Sequence, residues 1–381
     1  MKAIINCDII LEYGIIRDGA VLIEGEKIFA VGKRSELKIP ADAEIIDAEG
    51  TYVGPGFVDI HVHAGGAYTT YGEPKEAAEH FLRHGETSIL ATPSYSLNFA
   101  ESIEAIRSAR AALGKVKTLR GIYMEGPYIN PDYGAFSHLN PWRAPIDEGE
   151  FRALVDECGR DVKVWMVAPE REGLLPFLQY AREVNPDVVF SLGHSEATPS
   201  EVRALGKYRP TLITHIFDAT GQLPVEGGTR GVGPDEYALC EKEMYCELIS
   251  DSIAIHVKPE LQRILLLCKG IDRIVLVTDS TKISEFSPKG GDTPDLNFDD
   301  LGGLAGSLMT MDMATRNFMT HTGVGLSEAF IAASRNPARV IGLDSEIGTV
   351  EAGKYADLVF VDDKINIKKV ILRGEMQNFV N

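Results

Sequence analysis

Two patterns of apolar residues divide the chain. Residues 1–53 carry short β-rich runs, AIINCDII, GAVLIEGEKIFAVG and AEIIDA, broken by Gly, Asp and charged pairs. From residue 55 onward, β-rich apolar runs alternate with segments whose apolar positions recur near helical spacing. The strand candidates are FVDIHVH (57–63), TSILATP (87–93), TLRGIYMEG (118–126), VKVWMVAP (162–169), VVFSLGHS (188–195), TLITHIF (211–217), MYCELISD (244–251) and RIVLVTDS (273–280). Between them lie helix-like segments such as PKEAAEHFLRHG, FAESIEAIRSARAALG, LLPFLQYAREV and KPELQRILLLCKG.

Strands alternating with helices imply parallel strands joined by right-handed crossovers. About eight such units predict an α/β fold, a (β/α)8 TIM-like barrel. A last helical region covers MTMDMATRNFMTHTG and LSEAFIAASRNPARVIG, and the chain then returns to strands in EIGTV, ADLVFVD and IKKVILRGE. This tail is expected to join the N-terminal strands in a small β-sandwich domain, residues 1–54 and 343–381, beside a barrel of residues 55–342.

The 381 residues are 44% hydrophobic and 25% charged, which allows a large core and disfavours disorder. The net charge of −18 argues against nucleic acid or an anionic membrane as a main partner. Cys7, Cys158, Cys240, Cys246 and Cys268 form no CxxC pair and read as reduced thiols of a cytoplasmic protein. The opening MKAIINCDIILEYG lacks the apolar stretch and cleavage site of a signal peptide. No apolar run approaches the roughly 20 residues of a membrane span.

Barrel enzymes keep their chemistry at the C-terminal ends of strands, and the polar residues fall there repeatedly. His61 and His63 end the first predicted strand, Glu125 the third, His194 the fifth, His215 the sixth and Asp279 the eighth. Side chains two apart on a strand share a face, so both imidazoles of His61-Val62-His63 can reach one ion. An HxH pair alone is a weak signal. Joined by two further histidines, a glutamate and an aspartate at strand ends, it defines a candidate centre for a divalent metal. Nitrogen and carboxylate ligands suit zinc, and also iron or manganese. Such an ion lowers the pKa of its water and polarises a carbonyl, and Asp279 is placed to carry a proton from water to a leaving nitrogen. The reaction class is amide hydrolysis.

The segments PGFVDIHVHAGG, MEGPYINP, LGHSEAT, THIFDAT, LVTDS and LAGSLMTMDMATRN occur in the order seen in N-acetylglucosamine-6-phosphate deacetylases. The tail NPARVIGLDSEIGTVEAGKYADLVFVD is similar to the closing segment of those enzymes and of the wider amidohydrolase superfamily. The resemblance spans nearly the whole chain. It implies Glu125, His194 and His215 as metal ligands, and His61 and His63 as the HxH pair that some members keep. With both present, one or two ions per chain are expected, Glu125 bridging in the second case, and Asp279 is the implied catalytic residue. The implied substrate is N-acetylglucosamine-6-phosphate or a related N-acyl amino sugar. The implied assembly is a homodimer in which Arg230, in GGTRGVGP, reaches the phosphate from the neighbouring subunit. Substrate contacts are implied around Ala135, Phe136, Asp218, Ala219, Asp251, Ala254 and His256, and at Leu304, Ala305 and Gly306 of LGGLAGS.

Three segments depart from that family's pattern. Its Gly-Ala-His reads Gly134-Ala135-Phe136 here; its Phe-Asn-Ala-Met reads Phe217-Asp218-Ala219-Thr220; its Asp-Gly-x-His reads Asp251-Ser252-Ile253-Ala254. His138 and His256 stand two residues beyond the missing imidazoles. A carboxylate at Asp218 repels a phosphate dianion, so an unphosphorylated N-acyl substrate is the alternative expectation. Dihydropyrimidinase-like and dipeptidase-like enzymes bridge two metals with a lysine ending the fourth strand, and Val164-Trp165-Met166-Val167-Ala168 has none. A barrel retained only for binding or assembly would be marked by lost ligands, and none is lost. His80 and His84, four apart on a predicted helix, lack the HExxH glutamate and read as a solvated face.

Overall fold

The computed structural model describes residues 1–221, 227–229, 231–287 and 295–379. Its barrel wall is a sheet of eight parallel strands in sequential order: β1 (Phe57–Asp59), β2 (Glu86–Ala91), β3 (Leu119–Met124), β4 (Val162–Val167), β5 (Val189–Leu192), β6 (Leu212–Ile213), β7 (Tyr245–Leu248) and β8 (Ile274–Leu276). Each overlaps one of the apolar runs above. The strands are shorter than the runs because the polar residues at their C-terminal ends leave the ladder.

A helix follows each strand: α1 (Pro74–Arg83), α2 (Phe99–Ala112), α3 (Glu148–Cys158), α4 (Leu174–Val184), α5 (Pro199–Ala204), α6 (Pro234–Cys240), α7 (Pro259–Lys269) and α8 (Met311–Thr322). Local chemistry starts them. The Asn98 side chain accepts the Ala100 and Glu101 amides, and Glu101 accepts the Asn98 amide in return. Thr198 and Glu201 repeat the device at α5. Leu174, Phe177, Leu178 and Ala181 are the buried stripe of α4, at the spacing that sets one helix face against the wall.

The ring closes at its C-terminal rim. The Asp279 amide donates to the His61 carbonyl at 3.0 Å, and the His63 and Ala64 amides both donate to the Ser280 carbonyl at 2.9 Å. Just below, the buried Asp59 carboxylate accepts the Thr278 hydroxyl at 2.5 Å and the His61 amide at 3.2 Å. This seam sets the two histidines of β1 opposite Asp279.

Strands from both chain ends form a separate mixed sheet in the order Glu375–Met376, Ile367–Leu372, Leu358–Val361, Tyr52–Pro55, Lys2–Leu11, Gly14–Glu24, Lys27–Lys33, with Glu44–Asp47 also paired to Lys2–Leu11. Period-two alternation gives the sheet two apolar faces. Leu358, Phe360 and Ile371 join Ile4, Ile9, Val21 and Val53 in a core of their own. The alternate residues Val359, Val361 and Val370 join the barrel core. Only Gly56 separates Tyr52–Pro55 from β1, and we propose a domain boundary there, with its counterpart near residue 342. Buried Arg335 ties the two parts, pairing with Glu12 beside the sheet and Asp272 before β8. Among the described residues no helix is long and apolar enough to cross a membrane.

Candidate active site

Six polar side chains leave the strand ends and converge. His194, His215 and Asp279 have φ of 43°, 27° and 47°, a left-handed backbone that residues with a Cβ seldom adopt. Strain of this kind is tolerated where a side chain must be aimed. Glu125, just past β3, is the hub. Its Oε1 lies 3.1 Å from His194 Nε2 and 3.6 Å from both His61 Nε2 and His215 Nε2; its Oε2 lies 3.1 Å from His63 Nε2. Asp279 Oδ1 lies 3.3 Å from His63 Nε2 and 3.7 Å from His61 Nε2. The potential ligand atoms fall into two groups, His61–His63–Asp279 and Glu125–His194–His215, each with its atoms within 4.8 Å of one another. All six side chains are buried.

The far nitrogens explain how the rings are aimed. His61 Nδ1 donates to Glu247 Oε2 at 3.1 Å, His63 Nδ1 to the Thr92 carbonyl at 2.9 Å, and His215 Nδ1 to the Asp218 carbonyl at 3.3 Å. These acceptors fix the tautomers and turn each Nε2 lone pair toward the centre. His61 Nε2 is buried without a hydrogen-bond partner among the described residues, an orphan that a cation would satisfy. Four imidazoles and two carboxylates are a donor set that fits a divalent ion.

The electrostatics agree. Burial disfavours charge on His61, His63, His215, Glu125 and Asp279. It is overridden at His63, where Glu125 and Asp279 push the imidazole up to about 9. Burial also opposes charge on His215, and again the Glu125 carboxylate and its neighbours raise it to about 9. His61, between Glu125 and Glu247, is held well above the usual range despite burial. Burial would raise Glu125, but His63, the hydrogen bond from His194 and the facing imidazoles of His215 and His61 hold it well below the usual carboxylate range. Asp279 is likewise lowered, against burial, by His63 and His61. Carboxylates that favour protons on these rings equally favour a cation in their place.

Sequence reasoning missed Glu247. It lies inside β7 with its side chain fully buried, and Tyr123 donates to it at 3.4 Å while stacking on His61 with ring centroids 4.5 Å apart. The available signal was a glutamate inside the apolar run MYCELISD, since a buried carboxylate there needs a partner. Glu247→Gln keeps an acceptor for His61 but removes the charge behind it. Metal affinity is expected to fall about 10–100-fold, read by titrating metal into stripped protein; an unchanged affinity would detach Glu247 from the centre.

A cavity of about 530 Å³ opens above the centre, lined by His63, Glu125, His194, His215 and Asp279. Of the expected substrate contacts, Ala135, Phe136, Asp218, Ala219, Leu304, Ala305 and Gly306 line it. Asp251, Ala254 and His256 are not among its lining residues. The Asp251 carboxylate is taken up by the Ile253, Ile255 and His256 amides and by His256 Nδ1 at 3.0 Å, so these residues form a buried pair and turn. Arg230 lies outside the described residues.

Tyr95, Asn297 and Asp299 also line the cavity and were not singled out from the sequence. Tyr95 donates its hydroxyl to the Ala135 carbonyl at 2.7 Å and packs on His194. The antiparallel pair Leu296–Phe298 and Leu304–Ser307 forms one wall. In its turn Asp299 accepts the Leu301 and Gly303 amides at 3.0 and 2.7 Å and the Phe136 amide at 3.4 Å. Two glycines let these loops reach the centre. A Cβ on Gly134 (φ +93°) would lie 2.4 Å from His194 Cε1, and one on Gly306 (φ +59°) would lie 2.5 Å from the Asp279 carbonyl oxygen.

Comparison with known proteins follows the same lines. A model of the amidohydrolase family matches residues 52–376. The N-acetylgalactosamine-6-phosphate deacetylase of Escherichia coli O157:H7 is 29% identical over 361 residues, covering 89% of this chain and 91% of its own. The solved N-acetylglucosamine-6-phosphate deacetylase from Thermotoga maritima matches with a TM-score of 0.82 at 29% identity, covering 98% of this chain and 99% of its own. A mutant N-acetyl-D-glucosamine-6-phosphate deacetylase from Mycobacterium smegmatis, solved in complex with N-acetyl-D-glucosamine-6-phosphate, matches with a TM-score of 0.82 at 26% identity over 98% of both chains.

Proposed function

Because the chain belongs to the amidohydrolase family, we propose that it is a metal-dependent deacetylase of N-acyl amino sugars, working at the centre around Glu125. The observation that carries this reading is the convergence of four imidazoles and two carboxylates on the floor of a cavity. Glu125, His194 and His215 would hold one ion; His61, His63 and Asp279 would hold a second, with Glu125 facing both groups. Zinc suits this nitrogen and oxygen set best, and iron and manganese are compatible.

A divalent ion held there supplies a water of lowered pKa and polarises the acyl carbonyl. The chain's own groups do the rest. Asp279, whose Oδ1 faces His63 and His61 at 3.3 and 3.7 Å, accepts a proton from the attacking water. It returns that proton to the amide nitrogen as the carbon–nitrogen bond breaks, so acetate and a free amine leave. Tyr95 and Gly134 hold the loop of Ala135 and Phe136 close against His194.

The reading includes a cytoplasmic homodimer. All five cysteines are free thiols, as a reducing compartment requires. Ile253, Ile255, Ile283, Phe286 and Leu301 stand exposed on loops at the C-terminal end of the barrel, apolar surface suited to a second subunit. A second reading of the substrate, an N-acyl amino sugar without phosphate, is favoured by the Asp218 carboxylate in the cavity wall.

The test is acetate release from N-acetylglucosamine, N-acetylgalactosamine and their 6-phosphates, run beside elemental analysis. One or two divalent ions per chain and release from at least one sugar are expected. Protein that holds no metal and stays inert on all four after zinc or manganese is added would overturn the proposal.

A further inference from the structure

The turn after β6 uses nearly all of its polar groups. Asp218 donates its amide to the His215 carbonyl at 3.0 Å and accepts His215 Nδ1 on its own carbonyl. Asp235 accepts the Phe217 amide at 3.0 Å and the Thr220 hydroxyl at 2.7 Å. Phe217 and Ala219 are bent to φ of 72° and 51° on either side. The Asp218 carboxylate alone is left over: among the described residues it makes no hydrogen bond and no ion pair, and it lines the cavity. Its backbone is tied to His215, which anchors the residue beside the centre.

The other wall carboxylate, Asp299, is occupied by the amides of its own turn. The one lysine or arginine among the described lining residues is Lys282. A sphere of the cavity's volume is about 10 Å across, roughly one Debye length at ordinary ionic strength. Any substituent of a sugar bound by its acyl group at the centre therefore feels the Asp218 charge. A free carboxylate accepts from hydroxyl or ammonium donors and repels a dianion.

We infer that Asp218 sets the substrate class of this site: it accepts a hydrogen bond from a hydroxyl of an unphosphorylated N-acyl amino sugar and excludes the phosphorylated form. This rests on the deacetylase reading above. The same charge makes the selection weaker as salt is raised, because screening acts on the repulsion of the phosphate and leaves the neutral sugar's hydrogen bond in place.

The experiment compares kcat/KM for N-acetylglucosamine and N-acetylgalactosamine with those for their 6-phosphates, in the wild type and in Asp218→Asn, at low and high salt. The carboxamide has the same shape and keeps an acceptor, and metal content and melting temperature confirm that the variant is intact. The wild type is expected to favour the unphosphorylated sugar by about tenfold or more, and the variant to shift that ratio toward phosphate by a similar factor. A wild type that prefers the 6-phosphate overturns the inference and leaves the deacetylase reading standing. A wild-type preference for the free sugar that Asp218→Asn does not move overturns the role of Asp218. No acetate from any substrate sinks the deacetylase reading itself, and the inference with it.

Discussion

Asp279→Asn is expected to fold, to keep metal at the Glu125, His194 and His215 group, and to release acetate about 10²–10⁴-fold more slowly than the wild type. The carboxamide retains an oxygen toward His63 and His61, which stand 3.3 and 3.7 Å away. The backbone that positions it is unchanged, because the seam is made by the Asp279 amide on the His61 carbonyl and by Ser280 on His63 and Ala64. What is lost is basicity. A carboxamide accepts no proton from water and has none to return to the amine, so the defect should appear in kcat with little change in KM. Single-turnover acetate release, with elemental analysis of the same sample, measures it. A variant at wild-type rate with full metal removes Asp279 from the chemistry.

The residues that made the centre legible share one property. Each is a polar residue closing an apolar β-rich run, as in VVFSLGHS or RIVLVTDS, and a parallel barrel brings such ends to one rim. Where the strands stop was less legible. β5 ends at Leu192, and His194 has already turned away, with φ of 43°. That turn is enforced by contacts with Glu125 and the Asn130 amide, 69 and 64 positions distant, which no local pattern reports.

Glu247 was hidden for the same reason. Periodicity registers it as a polar interruption of β7, while its meaning comes from His61 across the barrel. The cavity wall was half legible. Loop residues aligned by resemblance do line the cavity on the Phe136, Asp218 and Ala305 sides. On the third side Asp251 gathers the amides of its own turn, which sets Ala254 and His256 outside the lining. The helical region after α8 read as regular helix, but it carries a π-helical turn at Ile331–Arg335 that sets Arg335 between Glu12 and Asp272. The demand there is tertiary, pinning sheet to barrel.

Glu125→Gln should be the most damaging single change to the metal centre. Glu125 touches all four histidines, through Oε1 at 3.1–3.6 Å and Oε2 at 3.1 Å, and it belongs to one group while facing the other. A neutral amide leaves Asp279 as the only anion among the six. The loss of affinity should exceed the about 10–100-fold typical of a partner standing behind the ligands. Dialysed protein should then contain little metal. The pH dependence provides a second reading. His63 and His215 are raised to about 9 by burial working against Glu125 and its neighbours, with Glu125 winning. Below that pH each ring holds a proton that an ion must displace, so wild-type affinity should climb with pH and level off above about 9. Without the Glu125 charge both rings give up their protons more readily, and the climb should finish at lower pH even though the affinity reached is smaller. Titrations of the stripped proteins across pH separate the two effects. A Gln variant that keeps its metal through dialysis, with the wild-type pH profile, would show that Glu125 is not the hub of the site.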